Sequence, residues 1–370
     1  MKTYQLTPLD TLFFRDGRPF NLGETGQMEV EGIFPPSPTT VVGAMRAALA
    51  KANGWDGRNG WSDDIKAELG DGRNLGGMRF GGPHLLHNGE SLFPTPLSLL
   101  GKQIESAENG MRWILTHLSP GNALDTDIGT VRLPQAAKVL DEAGEEVKGL
   151  KELNGYLTPE GMRRVLAGEE LESSHVVARD RLWSTEPRIG IKRDPTSRTT
   201  KEDSLYQIQH VRLREGVSLA VTISGTNWQP QNPALLGGEG RMAWLEPTEG
   251  VTLPQAPDLQ PDGDIIRYIV TLITPAAPPD ESWRKAGIGL FGLPGKIVSA
   301  CVGKPVMIGG WDSLSRKPLA LEPHLPAGSI WFIEANASDK QLILDLHGKH
   351  IGEKAAWGYG QILIGTWREQ

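Results

Sequence analysis

The chain has 370 residues, 38% of them hydrophobic, and a formal net charge of −7. That length exceeds what one core usually holds, so two domains are expected, and the negative balance argues against a general polyanion binder. A single cysteine, Cys301, excludes an internal disulfide and any multi-cysteine zinc site.

Thr3 to Phe14 reads as a first strand, because Tyr4, Leu6, Leu12 and Phe14 share one parity. Pro8 suggests an edge or a bulge. The turn RDGRPF carries Arg15 and Arg18 around Gly17, and a loop runs on to Pro36. A helix start follows. Ser37 fits the N-cap and Pro38 the first helical position, with Thr39 and Thr40 in the first turn. The helix continues to about Ala52, past Arg46, with Val41, Val42, Met45, Ala48 and Leu49 as its apolar face. Gly43 mid-helix costs about 1 kcal/mol relative to Ala, which suggests close packing or ligand approach there. Gly54 to Gly77 reads as an irregular insertion. Asn88-Gly89 is the strongest short hairpin signal. Arg112 to Leu118 reads as a strand, and Thr158-Pro159 opens a short helix that ends near Gly168.

Charge is unevenly placed along the chain. Asp141 to Glu172 holds four Lys/Arg against nine Asp/Glu, a net −5. Arg179 to Arg214 holds nine against five, a net +4. Ser204 to Ser224 reads as a hairpin turned at Glu215-Gly216. Next comes LLGGEGRMAWLEP, where Gly237, Gly238, Gly240 and Arg241 lead into an apolar strand from Met242. Pro247 to Asp262 is a linker. Beyond it, strands are expected at Ile265 to Ile273, Ile297 to Val302 and Ile330 to Glu334, then a helix at Ser338 to Leu346. The closing AAWGYGQILIGTW echoes the first glycine stretch, with Gly358 and Gly360 on either side of Tyr359. Strand, helix, strand, strand, helix, strand describes this half, and a decorated version fits the first. The expected class is α+β, with tandem ferredoxin-like (RRM-like) domains at 1–248 and 262–370 and long loop insertions.

Each candidate for chemistry has a plainer alternative. Two glycine turns entering strands allow a bare backbone to approach an anion; the alternative is two tight turns. Lys192, Arg193 and Arg198 alternate with Thr196, Ser197, Thr199 and Thr200, which suits phosphate and ribose contacts; the alternative is a solvated loop. The Ser37 helix start offers N–H groups to a phosphate, or is simply well capped. Tyr359 and Trp357 are placed to stack on a base, typically worth about 1–3 kcal/mol, or are core aromatics. The histidine pair 84/87 contains no acidic partner and the pair 347/350 straddles Gly348, so neither a metal nor a cofactor is expected. No GxSxG or Walker pattern occurs. No run of about 18 apolar residues suggests a membrane helix, and MKTYQLTPLD lacks a signal-peptide core, so a reducing cytoplasm is the expected compartment.

TPLDTLFFRDGRPF, FPPSPTTVVGAMRAAL, EPRIGIKRDPTSRTTKEDSLYQIQHVRL, LLGGEGR and WGYGQILIG together resemble one family. It is the third Cmr subunit of type III-B CRISPR effector complexes, in the RAMP superfamily. The matches run in order over nearly the whole chain; the final glycine loop alone is shared by many RAMPs. The resemblance implies a non-catalytic subunit that grips the 5′ tag of the crRNA. It also implies two neighbours, the large Palm-domain subunit and the first backbone RAMP subunit. Carried over by position, the tag-binding candidates are Arg15, Arg18, Ser37, Thr39, Thr40, Arg46, Lys192, Arg193, Arg198, Gly237, Gly238, Arg241, Gly358, Tyr359 and Gly360. An alternative from another class is a metal-independent endoribonuclease, with His175, His210 or Tyr206 as the acid–base group.

Overall fold

A computed structural model describes residues 1–15, 29–30, 32–106, 110–126, 129–140, 144–193, 200–312 and 317–368; for 29–30, 106, 110–111, 129, 191–193 and 200–206 it describes the backbone only. In chain order the main elements are β1 (Lys2–Pro8), α1 (Pro38–Ala52), α2 (Asp63–Leu69), β2 (Arg79–His87), β3 (Glu90–Pro94), β4 (Leu99–Ser106), β5 (Gly110–Thr126), β6 (Gly129–Ala136), β7 (Gly155–Leu157), α3 (Pro159–Ala167) and β8 (Val176–Ala178). They continue as β9 (Trp183–Arg193), β10 (Thr200–Leu213), β11 (Val217–Ser224), β12 (Ala234–Leu235), β13 (Met242–Thr248), β14 (Ile265–Leu272), β15 (Lys296–Cys301), β16 (Ile330–Asn336), α4 (Lys340–Leu344) and β17 (Ile362–Thr366). The chain is thus mixed α and β, mostly antiparallel sheet with few helices.

Local signals hold where caps write them. The Ser37 hydroxyl accepts the Thr40 N–H at 3.3 Å, and Val41, Val42, Met45, Ala48 and Leu49 are all buried. Thr158 caps α3 in the same way, and Gly168 ends it in the left-handed region. Asn88 and Gly89 both take positive φ, 51° and 83°, as the tight turn requires. Other expectations fail. Gly43 is exposed, and a Cβ there meets nothing within 4 Å, so neither packing nor a close approach explains it. The 54–77 insertion contains α2, capped by Ser62. The partner of β10 is β9, not β11, with register running from Trp183↔Leu213 to Arg193↔Thr200.

Where domains at 1–248 and 262–370 are expected, the chain forms two compact units that interleave along the sequence. One unit comprises Met1–Gly89, Asp180–Val251 and Met307–Pro323; the other comprises Glu90–Arg179, Thr252–Val306 and His324–Gln370. In the first, the sheet order is β2-β11-β1-β13-β12, all antiparallel. Tyr4 and Leu6 of β1 are buried there, as their parity predicts.

In the second unit the order β15-β16-β14-β17 is also antiparallel throughout. Ile266, Tyr268, Val270 and Leu272 face one core with Trp331, Ile333, Ile362 and Ile364. Ile269 and Ile273 face another with Phe332 and Leu363. A sheet buried on both faces explains why these strands read as unbroken apolar runs. The second core is completed by Phe93, Leu99, Leu157, Met162, Val165 and Leu166. Segment 90–179 therefore supplies the apolar cover, α3 included, that the later strands need. This is why it leaves the first unit. Between β14 and β15 only a 3-10 turn, Ser282–Arg284, replaces the expected helix, and α4 is five residues long.

His117 on β5 links this unit to pH. Its Nε2 is sealed from solvent, and burial lowers the imidazole from 6.5 to about 4. Between those values the unfolded chain takes up a proton that the folded chain refuses, so stability falls as pH drops through the window and is flat above it. One such group contributes roughly 1.4 kcal/mol per pH unit there, up to about 3 kcal/mol in total. Urea unfolding at pH 7 and pH 4.5 is expected to show a shallower decline for His117→Gln than for the wild type. Equal declines would remove His117 as the cause.

Candidate nucleic-acid interface

The first unit brings together the end of β1, the base of the β9–β10 hairpin and the first glycine loop. Their meeting point is Asp10. Its carboxylate lies 3.0 Å from Arg241 Nη1, 3.1 Å from Arg212 Nη2 and 3.5 Å from Arg188 Nη2. Glu186 takes the other side of two of these, at 2.7 Å from Arg212 Nε and 2.9 Å from Arg188 Nη2. The Thr11 amide, then Arg212 and Arg188, hold the Asp10 carboxyl below its ordinary range; Arg212 and Arg188 do the same for Glu186. These are solvent-facing pairs, so they set geometry more than stability.

Behind this network sits His210, 0% exposed. Its Nδ1 is 2.9 Å from the Thr11 hydroxyl, and its ring stacks on Phe13 at 5.3 Å. Its Nε2 is 3.3 Å from a Glu239 carboxylate oxygen without hydrogen-bond geometry. Burial lowers the His210 pKa, Arg188 and Arg241 lower it further, and Glu239 opposes them. Three arginines (188, 212, 241) face three acids (10, 186, 239), so the hairpin base is charge-balanced.

The first glycine loop packs on protein for most of its length. The Gly238 N–H donates to Phe13 O at 2.8 Å. A Cβ on Gly237 would strike the Phe13 carbonyl and the Phe14 ring, and one on Gly238 would meet the Phe13 ring at 2.9 Å. Chain packing is therefore enough to require glycine at 237 and 238. Only Gly240, at φ 65°, opens onto free space.

Several other expected contacts change role. Arg46 is 6% exposed. Its guanidinium donates to the carbonyls of Leu69 (3.2 Å), Gly72 (2.9 Å) and Asn74 (3.1 Å), and it lies 5.0 Å from the Trp61 ring centre. It is a buried clamp on the 69–74 turn. Tyr359 is 0% exposed, against the His324 ring at 4.7 Å, so it offers no stacking surface. Around it, the Thr274 hydroxyl donates to Gly358 O at 2.8 Å and accepts the Gln361 N–H at 2.9 Å. Gly360 donates to Pro275 O at 2.7 Å and accepts from Ile351 N–H at 2.8 Å. The second glycine loop is thus an internal corner. It belongs to the second unit, whereas the first loop and the hairpin belong to the first.

Arg15 is exposed, and its backbone bridges Gly32. Ser37, Thr39 and Thr40 are half-buried at the start of α1, with the Ser37 and Thr40 hydroxyls 3.0 Å apart. Lys192 and Arg193 lie at the far end of β9, described by backbone alone, and Arg18 and Arg198 fall outside the described residues. The histidines of the nuclease alternative are poorly placed. His210 is sealed, and buried His175 accepts the Glu172 N–H at 3.0 Å. The side chain of Tyr206 is not among those described. The acids that neutralise the hairpin base, Asp10 and Glu186, were invisible to sequence reasoning. Asp10 lies 178 or more positions from Arg188, Arg212 and Arg241, and only the cross-strand register joins Glu186 to Arg212.

A family model described as CRISPR-associated protein (Cas_Cmr3) matches residues 4–367. The chain belongs to that family. The Cmr3 assignment covers both units. Among solved structures, a chain of the type III-B Cmr-beta assembly bound to cognate target RNA is similar at 18% identity and a TM-score of 0.51, covering 98% of this chain and 96% of that one. A second, from Cmr-beta bound to cognate target RNA and AMPPnP, gives 17% identity and a TM-score of 0.49, over 92% and 87%. No curated protein matches the chain. Among the described residues, no helix is long and apolar enough to cross a membrane.

Proposed function

We propose that this chain is the subunit of a type III-B CRISPR effector complex that grips the 5′ tag of the crRNA. In this reading it is non-catalytic and cytoplasmic, and it anchors the large Palm-domain subunit beside the first backbone RAMP subunit. The family match across residues 4–367 carries the proposal. The sheets support the tandem ferredoxin-like plan. In each unit the second, third, first and fourth core strands lie side by side in that order. The sealed state of His210 favours a scaffold over a nuclease.

The charge pattern says where on the hairpin RNA attraction is concentrated. Its base is balanced, as shown above. Residues 192–201, by contrast, hold Lys192, Arg193, Arg198 and Lys201 against Asp194, a net +3 over ten residues rich in hydroxyls. We therefore assign the phosphate contacts to the far end of β9 and the residues that follow it. Binding of a tag RNA is expected to weaken with salt, each phosphate contact contributing about 0.7 to the log–log slope for a single strand. Lys192→Ala with Arg193→Ala is expected to lower that slope by about 1.4 if both cations touch phosphate. The far-UV spectrum should not change. An unchanged slope and affinity would refute the assignment, and no preference for tag over random RNA would refute tag recognition.

A further inference from the structure

The first unit exposes an apolar patch on one face of its sheet. Leu9 is 56% exposed, Leu235 48%, Trp244 43% and Met242 40%. Four such residues singly would need no explanation; these four are contiguous. The Leu9 N–H donates to Met242 O at 3.0 Å, Leu235 pairs with Met242, and Trp244 follows two residues along β13. Thr7 lies opposite Trp244, and Gln5 opposite Glu246. The alternate residues of β13, Ala243 and Leu245, turn inward to the core.

Two observations narrow the occupant. The open edge of β13 is closed to an added strand. The Asn232 side chain takes both backbone groups of Leu245, each at 2.7 Å, and Pro247 offers no N–H. A partner must therefore lie on the face, through side chains. The charges then exclude RNA. On the outward side of β13 the ionised group is Glu246, Glu249 follows it exposed, and neighbouring Arg241 is already held by Asp10. Along β13 a strand of phosphates would meet these carboxylates, while the nearest described cation, Arg241, is already paired.

We infer that Leu9, Leu235, Met242 and Trp244 form a docking surface for another protein subunit, one that presents apolar side chains bordered by Lys or Arg. Met242 is the centre of the patch, between Leu9 and Leu235; Trp244 is its aromatic anchor, and Glu246 beside it pairs with the partner's basic border. This rests on the proposed place of the chain in a multi-subunit complex.

The test uses the complex assembled from this chain, the remaining type III-B subunits and guide RNA. Trp244→Glu is expected to lose one protein subunit while guide RNA stays bound. Titrating that purified subunit back should show a Kd raised roughly tenfold or more, as for an aromatic anchor. Glu246→Lys should weaken the same subunit, more at low salt than at high salt. Both positions are exposed, so matching unfolding curves are expected. A full set of subunits in both variants would overturn the inference. So would loss of guide RNA instead, or a change confined to self-association of the isolated chain in sedimentation. Should the wild-type chain enter no complex, the proposed function itself fails and this inference falls with it, an outcome distinct from the variant results.

Discussion

Arg46→Met is expected to destabilise the first unit by about 3 kcal/mol or more, and to leave the RNA affinity of the folded protein unchanged. The Leu69, Gly72 and Asn74 carbonyls converge on one guanidinium. Hydrogen bonds to a charged group contribute roughly 1.5–3 kcal/mol each, net of the water contacts they replace. Contact with Trp61 adds about 0.5–1 kcal/mol as a cation–π pair. Burial pulls the Arg46 pKa down and Asp71 opposes it, which marks a cation held in place by structure. Arg46→Lys should rescue little, because one ammonium cannot fan across three carbonyls. Chemical denaturation, followed by tag-RNA titration of the folded fraction, checks both halves. A stable variant with weakened RNA binding would return Arg46 to the interface.

Arg46 also shows what the sequence could and could not convey. Caps are local, so the starts of α1 and α3 were readable from Ser37-Pro38 and Thr158-Pro159. The same signal stands at Ser62, ahead of Asp63 and Asp64, but the surrounding Gly and Asn read as loop. Partners distant along the chain were not readable. The segment before Arg46 looks like a phosphate site, but its guanidinium turns to a stretch more than 20 positions on. Gly237 and Gly238 pack on Phe13, more than 220 positions away, and no local pattern reports that. The interleaving of the units was not readable for a similar reason. An apolar run shows that a segment needs a core, not which core. Met162, Val165 and Leu166 found theirs against Leu363 and Phe332. The family motifs escaped this limit, because an ordered set of motifs carries information that no single window does.

The second large effect concerns the glycine loops, and it separates the packing role from the ligand role. Gly360→Ala is expected to destabilise the second unit by about 3–5 kcal/mol, in the upper tail of single substitutions, where strain at a special φ/ψ belongs. Gly360 sits at φ 70°, where an L side chain costs roughly 1–2 kcal/mol. Its Cβ would also collide with the Ile351 carbonyl. Relief would break the Gly360–Pro275 and Ile351–Gly360 hydrogen bonds that turn the chain into β17. Gly240→Ala has a similar φ, 65°, but open space around it, so only the backbone cost of about 1–2 kcal/mol applies. Thermal unfolding of the two variants should therefore differ clearly, although both alter a glycine in a matching motif. Tag-RNA affinity then divides the loops again. If a bare backbone approaches phosphate anywhere in the first loop, it does so at Gly240, the one glycine of that loop without a protein neighbour. Equal stability losses in the two variants would defeat the packing account of the second loop. A Gly240→Ala protein with wild-type RNA affinity would leave the cationic end of the hairpin, Arg15 and the Ser37 helix start as the candidate contacts in the first unit.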